Sequence, residues 1–191
     1  TEIYTLSLHD ALPISHRGRH PTGPWETLSN TPDKDELRHQ LNLEQDGLCI
    51  YCEMPIGEDD GHVEHIKSRT AYPPLTFVYN NLAHSCSSGV HCGHRKGSQT
   101  LPIEPRPGCS DYFELSVTTG RLAPNRRELA ADQTRANTTL LALGLNDDPG
   151  LVRQREQHAR TVVALEQQSP SDVVTFLATS PFRWSLRRIV A

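Results

Sequence analysis

The sequence predicts an α+β fold: a helix near the N-terminus, a middle stretch of short strands and turns, and a helical C-terminal region. Three observations predict it. Leu37 and Leu41 repeat at i, i+4 behind a Thr31-Pro32-Asp33 start. From Leu48 to about Gly120 the chain is punctuated by Met54-Pro55, Asp60-Gly61, Pro73-Pro74 and several glycines, which leaves room only for strands and turns. Beyond Asn125 apolar residues return at helical spacing.

In chain order, residues 16–31 are rich in Pro, Gly and His and read as an extended arm with little regular structure and Trp25 as its anchor. Thr31 can cap the first helix, Pro32 fits its first turn, Asp33 suits the positive helix end, and Gly47 closes it. Residues 32–125 then read as one core unit and 126–191 as a helical region. In the latter, Arg126 to Leu143, Leu151 to Gln167 and Pro170 to Ala178 are the predicted helices, broken at Asn146 to Gly150 and Ser169-Pro170. Leu140, Leu141, Leu151, Val162, Val163, Leu165, Val173, Phe176 and Leu177 are the expected core positions. The last stretch, Phe182 to Arg188, mixes aromatic and basic residues and reads equally as core packing, a DNA-backbone contact or a docking segment.

The chain of 191 residues is long enough to bury a core, and no apolar run approaches the roughly 18 residues of a membrane span. Net charge is -4, from 19 Lys+Arg against 23 Asp+Glu, so any nucleic-acid surface must be local. Residues 1–15 (TEIYTLSLHDALPIS) lack the basic and apolar regions of a secretory signal. They resemble translated sequencing-adapter DNA and are set aside from the fold, with the true start expected to be missing. With no export signal and an odd number of cysteines, a reducing cytoplasm is the expected compartment.

Five cysteines and ten histidines accompany a single methionine, which invites a metal reading. Cys49-Ile-Tyr-Cys52 is a CxxC, and Cys86 and Cys92 form a second, looser pair. Two short-spaced pairs from separate turns are what a tetrahedral thiolate zinc site needs. The alternatives are four buried free cysteines or two disulfides. Cys109 lies outside any pair and is expected to be an unligated thiol.

Between and after the pairs stand Glu64-His65, Asn80-Asn81-Leu82 and His94-Arg95-Lys96-Gly97. The order CxxC, acidic-His, Asn-Leu, Cys, then Cys with Lys-Gly resembles the zinc-stabilised HNH endonucleases. Within them LEQDGLCIYCE, VEHI, LTFVYNNLAHSC and HCGHRKG are most similar to the PtuB-like HNH nuclease of Septu and retron anti-phage systems, and the similarity runs from about Asp33 to Gln157. It implies a ββα-metal finger with one catalytic cation beside a structural zinc, a DNA substrate and, in Septu-type systems, an ATPase partner.

Phosphodiester hydrolysis needs a water, a base and a cation that neutralises the growing charge. His65 suits the base, because neutral imidazole accepts a proton near pH 7. Glu64 offers a hard carboxylate to Mg²⁺ or Mn²⁺. Asn81 is expected to orient the His65 imidazole by a hydrogen bond, with Asn80 as a register alternative. Many HNH sequences carry a metal-binding His or Asn directly after the last cysteine; this chain has Gly93, so His94 is taken as the second cation ligand and the third catalytic candidate, with His91 as fallback. His62 and His84 read as polar strand-face residues. Lys67, Arg69, Arg95 and Lys96 face only Glu64 between residues 62 and 97, a local charge of +3 that suits a phosphate-binding patch. The competing reading is a non-catalytic zinc module that binds nucleic acid or protein, which would need none of Glu64, His65 and Asn81. A zinc deaminase would need a His-x-Glu with Pro-Cys-x-x-Cys, which the sequence lacks.

Overall fold

The computed structural model describes residues 25–28 and 32–189. The adapter-like residues 1–15, most of the arm and the capping role of Thr31 lie outside the described residues. Trp25 is the anchor that the sequence predicts. It opens a 3₁₀ turn, Trp25–Leu28, and is buried against Leu41, Val63 and Leu82.

Helix α1 spans Pro32–Glu44 with Asp33 and Asp35 in its first turn, where the helix dipole favours negative charge. It ends in a turn at Gly47, whose φ of 70° returns its N–H to the Asn42 carbonyl at 2.9 Å. The chain then folds into a tight knuckle: Leu48 bridges Pro55, the Cys49 N–H donates to the Met54 carbonyl, and the Glu53 N–H donates to the Cys49 carbonyl. Strands β1 (His62–His65) and β2 (Leu82–Ser85) pair antiparallel with His62 opposite Ser85 and His65 opposite Leu82. A short helix, α2 (Cys92–Lys96), follows. A second two-stranded hairpin, β3 (Phe113–Leu115) and β4 (Leu122–Pro124), leads into α3 (Ala130–Leu143), α4 (Pro149–Gln168), α5 (Pro170–Thr179) and α6 (Arg183–Arg187). Mixed helix and small sheet is thus the architecture, as the sequence predicts.

The differences are local. Helix α3 begins at Ala130, not Arg126, because the Asn125 side chain accepts the Arg127 N–H and turns the chain first. Helix α4 begins two residues earlier than predicted, since Asp148 caps it, accepting from Gly150 and Leu151, with Pro149 in its first turn. Leu141, expected in the core, is 63% exposed on the outer face of α3. The main apolar cluster runs continuously from Cys49, Cys52 and Cys92 through Leu140, Val162 and Val173 to Leu186, so the C-terminal helices and the cysteine-bearing middle share one core.

For Phe182 to Arg188 the packing reading holds. Phe182 and Leu186 are fully buried, and Arg183 donates to Asp46 at 2.8 Å. The half-buried Glu53 carboxylate accepts the Trp184 N–H at 2.8 Å and caps α6, so the residue after Cys52 ties the chain end to the knuckle. Arg155, 1% exposed, donates to the carbonyls of Gly120 and Leu145 and welds the β3–β4 turn to the α3–α4 connection. Gly120 has φ of 66°, and a Cβ there would lie 2.0 Å from the Val152 carbonyl oxygen. Gly120→Ala is expected to cost about 3 kcal/mol, combining strained backbone with a clash against helix backbone that cannot yield. Its denaturant midpoint against the parent chain measures this; an unchanged midpoint would contradict the packing described.

Among the described residues no helix is long and apolar enough to cross a membrane.

Candidate functional site

The knuckle, the end of β2 and the start of α2 bring the two cysteine pairs together. Cys49, Cys52, Cys86 and Cys92 place their sulfurs within 4.8 Å of one another, all as free thiols. Cys49 and Cys92 are 3.7 Å apart, and Cys52 and Cys86 4.0 Å. Four thiolates at the usual Zn–S distance of about 2.3 Å sit about 3.8 Å apart on a tetrahedron, so the cluster fits zinc and excludes the disulfide alternative for this geometry. Ser85 Oγ lies 3.8 Å from Cys49 Sγ, and the Cys86 N–H points at the same sulfur. Crowding keeps the thiols from ionising together: hydrogen bonds from the other three hold Cys86 far down, and the same contacts push Cys92 far up. A divalent cation is what lets all four be thiolates. Cys109 is outside the cluster, and burial raises its thiol pKa.

Strand alternation separates the residues of β1. Val63 and His65 face α1 and Trp25, while His62 and Glu64 face Tyr51 and α2. Glu64 is 7% exposed; its Oε1 accepts from Lys96 Nζ at 2.7 Å and from the Tyr51 hydroxyl at 3.2 Å, and its Oε2 lies 3.3 Å from His62 Nε2. Burial works to raise the Glu64 pKa, but the His62 and Lys96 hydrogen bonds outweigh it and hold the carboxyl below its usual range.

His65 is 8% exposed, and its ring packs T-shaped against Trp25 with ring centroids 4.5 Å apart. Its Nε2 lies 2.9 Å from the Thr76 carbonyl. A carbonyl only accepts, so Nε2 carries the proton and Nδ1 keeps the lone pair. Burial lowers the His65 pKa, the Thr76 bond and the Glu64 charge opposing it, so the neutral ring dominates at pH 7. The geometry corrects the expectation for Asn81. Its side chain accepts the Lys67 N–H at 2.9 Å and donates to the Lys67 and Leu75 carbonyls, so it clamps the β1–β2 loop whose Thr76 carbonyl orients His65. Asn80 contributes its carbonyl to Arg106.

Lys96 is the second correction. Expected on a phosphate-binding surface, it is 1% exposed, and its Nζ also donates to the His65 carbonyl at 3.0 Å, joining Glu64 to the strand end. Lys67, Arg69 and Arg95 stay partly exposed but meet Glu104, Glu26 and Asp147 at 3.3, 2.7 and 3.7 Å. The +3 count misses these carboxylates because they arrive from distant segments. His94 is exposed, with its ring stacked on His62 at 4.4 Å. His91 is ruled out as the fallback ligand: its Nδ1 lies 3.0 Å from Cys92 Sγ and its Nε2 3.5 Å from Asp148, among the cysteines. His84 is fully buried between Asn42 and the Asp60 carbonyl, a structural role in line with its reading. His62, read as an ordinary strand residue, joins Glu64 instead; the available signal was their i, i+2 spacing on one strand face.

No family model matches the sequence. The chain is similar to the predicted HNH endonuclease of retron Vc95 from Vibrio cholerae serotype O1 biovar El Tor, 31% identical over 167 residues that cover 82% of this chain and 81% of the relative. With that extent of identity, and with the cysteine cluster and the Glu64-His65 strand end assembled as described, the chain belongs to the HNH endonuclease family.

Proposed function

We propose that the chain is a metal-dependent endonuclease that hydrolyses DNA phosphodiester bonds as an anti-phage effector, with His65 as general base. The observation that carries this is the Thr76 carbonyl at 2.9 Å from His65 Nε2, which presents a neutral ring with its lone pair on Nδ1. A non-catalytic zinc module has no use for that arrangement, nor for a carboxylate held ionised by a buried lysine. The hairpin β1–β2 and helix α2 are read as the ββα-metal finger, with the cysteine cluster holding zinc.

In this reading a water attacks the phosphorus as its proton passes to His65 Nδ1; the P–O bond to the leaving group breaks, and that oxygen takes a proton from solvent. Mg²⁺ or Mn²⁺ bound at Glu64 would neutralise charge on the phosphate and leaving oxygen. Lys96 keeps Glu64 ionised, while Asn81 keeps the loop and its carbonyl in place. Lys67, Arg69 and Arg95 would exchange their carboxylate partners for DNA phosphates. A retron relative fits a defence role, in which an ATPase of the Septu type is the proposed partner.

The test is nicking of supercoiled plasmid by the zinc-loaded chain with Mg²⁺, Mn²⁺ or neither, with and without the candidate ATPase. Cleavage is expected only with the added cation, and Glu64→Gln is expected to lower it at least about a hundredfold, the scale of losing an electrostatic stabiliser. Intact plasmid under every condition would overturn the reading.

A further inference from the structure

We propose that His62 is a direct ligand of the catalytic cation, beside Glu64, in the space that a side chain at position 93 would otherwise fill. The inference rests on the metal-dependent reading above and assigns the protein donors at that site. Its first observation is steric. A Cβ built on Gly93 would lie 2.7 Å from His62 Nε2 and 2.7 Å from Glu64 Oε2. Only glycine lets both donor atoms reach this point, so the side chain missing from α2 and the imidazole on β1 are complementary.

The second observation is the spacing of the donors. His62 Nε2 and Glu64 Oε2 are 3.3 Å apart, near the roughly 3 Å between adjacent corners of an octahedron with bonds of about 2.1 Å. They share one face of β1 by strand alternation. The third is the freedom of the His62 proton. His65 and His84 each commit Nε2 to a carbonyl, which fixes where the proton sits. His62 Nδ1 is buried with no hydrogen-bond partner among the described residues, so no acceptor fixes a proton there; the Nε2 proton now shared with Glu64 Oε2 can shift to Nδ1 or be lost when a cation takes its place, which frees the Nε2 lone pair.

His94 then has a different part. Its ring lies nearly parallel to His62, at 14° and 4.4 Å, and braces the imidazole from the solvent side. Among the described residues no third His, Cys, Asp or Glu joins His62 and Glu64 within 4.8 Å, so water and phosphate oxygens are left to complete the coordination. One nitrogen and one carboxylate also set a preference. An imidazole nitrogen is a poorer ligand for Mg²⁺ than for a transition metal, so Mn²⁺ is expected to bind more tightly than Mg²⁺.

Mn²⁺ binding to the zinc-loaded chain, read by loss of the free-ion electron paramagnetic resonance signal, tests this without DNA or turnover. His62→Ala is expected to weaken Mn²⁺ at least about tenfold, the lower end of what disturbing a metal site costs, with zinc content and melting unchanged. His94→Ala is expected to change it less than about threefold. Electron spin echo spectra of bound Mn²⁺ should show coupling to a directly bonded nitrogen in the parent chain and in His94→Ala. Equal affinity in His62→Ala, or nitrogen coupling lost in His94→Ala instead, would overturn the ligand assignment while leaving a metal-dependent nuclease intact. No Mn²⁺ or Mg²⁺ bound by the parent chain would overturn both. If His62→Ala fails to fold, the parent spectrum still decides, since coupling absent there sinks the proposal.

Discussion

Replacing His65 by alanine is expected to lower plasmid cleavage by about a hundred- to ten-thousand-fold while zinc content and the far-ultraviolet spectrum stay as in the parent chain, because a positioned general base contributes on that scale. The pH profile carries the more specific outcome. Burial holds the His65 pKa below its ordinary value of 6.5. The base must be neutral, so cleavage should persist as pH falls through 6.5 and decline only nearer the lowered pKa. Stability follows the same sign. A histidine with depressed pKa in the fold binds fewer protons than in the unfolded chain, so its contribution is fully present above the unfolded pKa and is lost as pH falls below it. Fully buried His84, also depressed by burial, adds to the same loss. A cleavage optimum that collapses above pH 6.5, or full activity in His65→Ala, would remove His65 from the role of base.

Loss of the cysteine-bound metal should have the larger structural effect. Structural zinc contributes roughly 10–16 kcal/mol in small domains, as much as a whole domain's usual 5–15 kcal/mol. Cys92→Ser, at a fully buried position in the main core, is therefore expected to leave no cooperative thermal transition, and stripping the metal should do the same to the parent chain. The damage should reach the C-terminus. Glu53, which follows Cys52, caps α6, so Trp184 fluorescence is expected to shift together with loss of the knuckle. Cys109→Ser should keep both zinc and the transition, within about 1 kcal/mol. A metal-free chain that still melts cooperatively at the parent temperature would refute a structural role for the cluster. Metal content and calorimetry on the same samples decide between these outcomes.

Much of the site could be read in the sequence because its grammar is local. A CxxC forms one tight turn, so Cys49 and Cys52 declare themselves through spacing, and the second pair through the tetrahedral need for two more sulfurs. The first helix was legible through Pro32 and the Leu37–Leu41 step, and its stop through Gly47, whose left-handed backbone explains the residue. Helix starts were less legible at Asn125 and Asp148, because Asx side chains can either turn the chain or cap a helix, and neighbouring packing decides which.

Residue type and spacing by themselves determined an α+β chain, four cysteines poised for zinc with one spare, and a Glu64-His65 pair set between the cysteines. The tertiary structure alone decided what those residues touch. Lys96 looked like a surface charge until packing of α2 against β1 enclosed it with Glu64, where leaving either charge unpaired would be costly. The locally basic window lost its excess when Glu26, Glu104 and Asp147 came in from elsewhere in the chain. Asn81 holds the loop whose Thr76 carbonyl meets His65 rather than touching the imidazole itself. His62 acquires its place beside Glu64 only because Gly93, distant in sequence, leaves the space open. Local spacing fixes which groups a turn or strand presents; charge pairing and steric room depend on segments far apart in the chain, and only folding sets them.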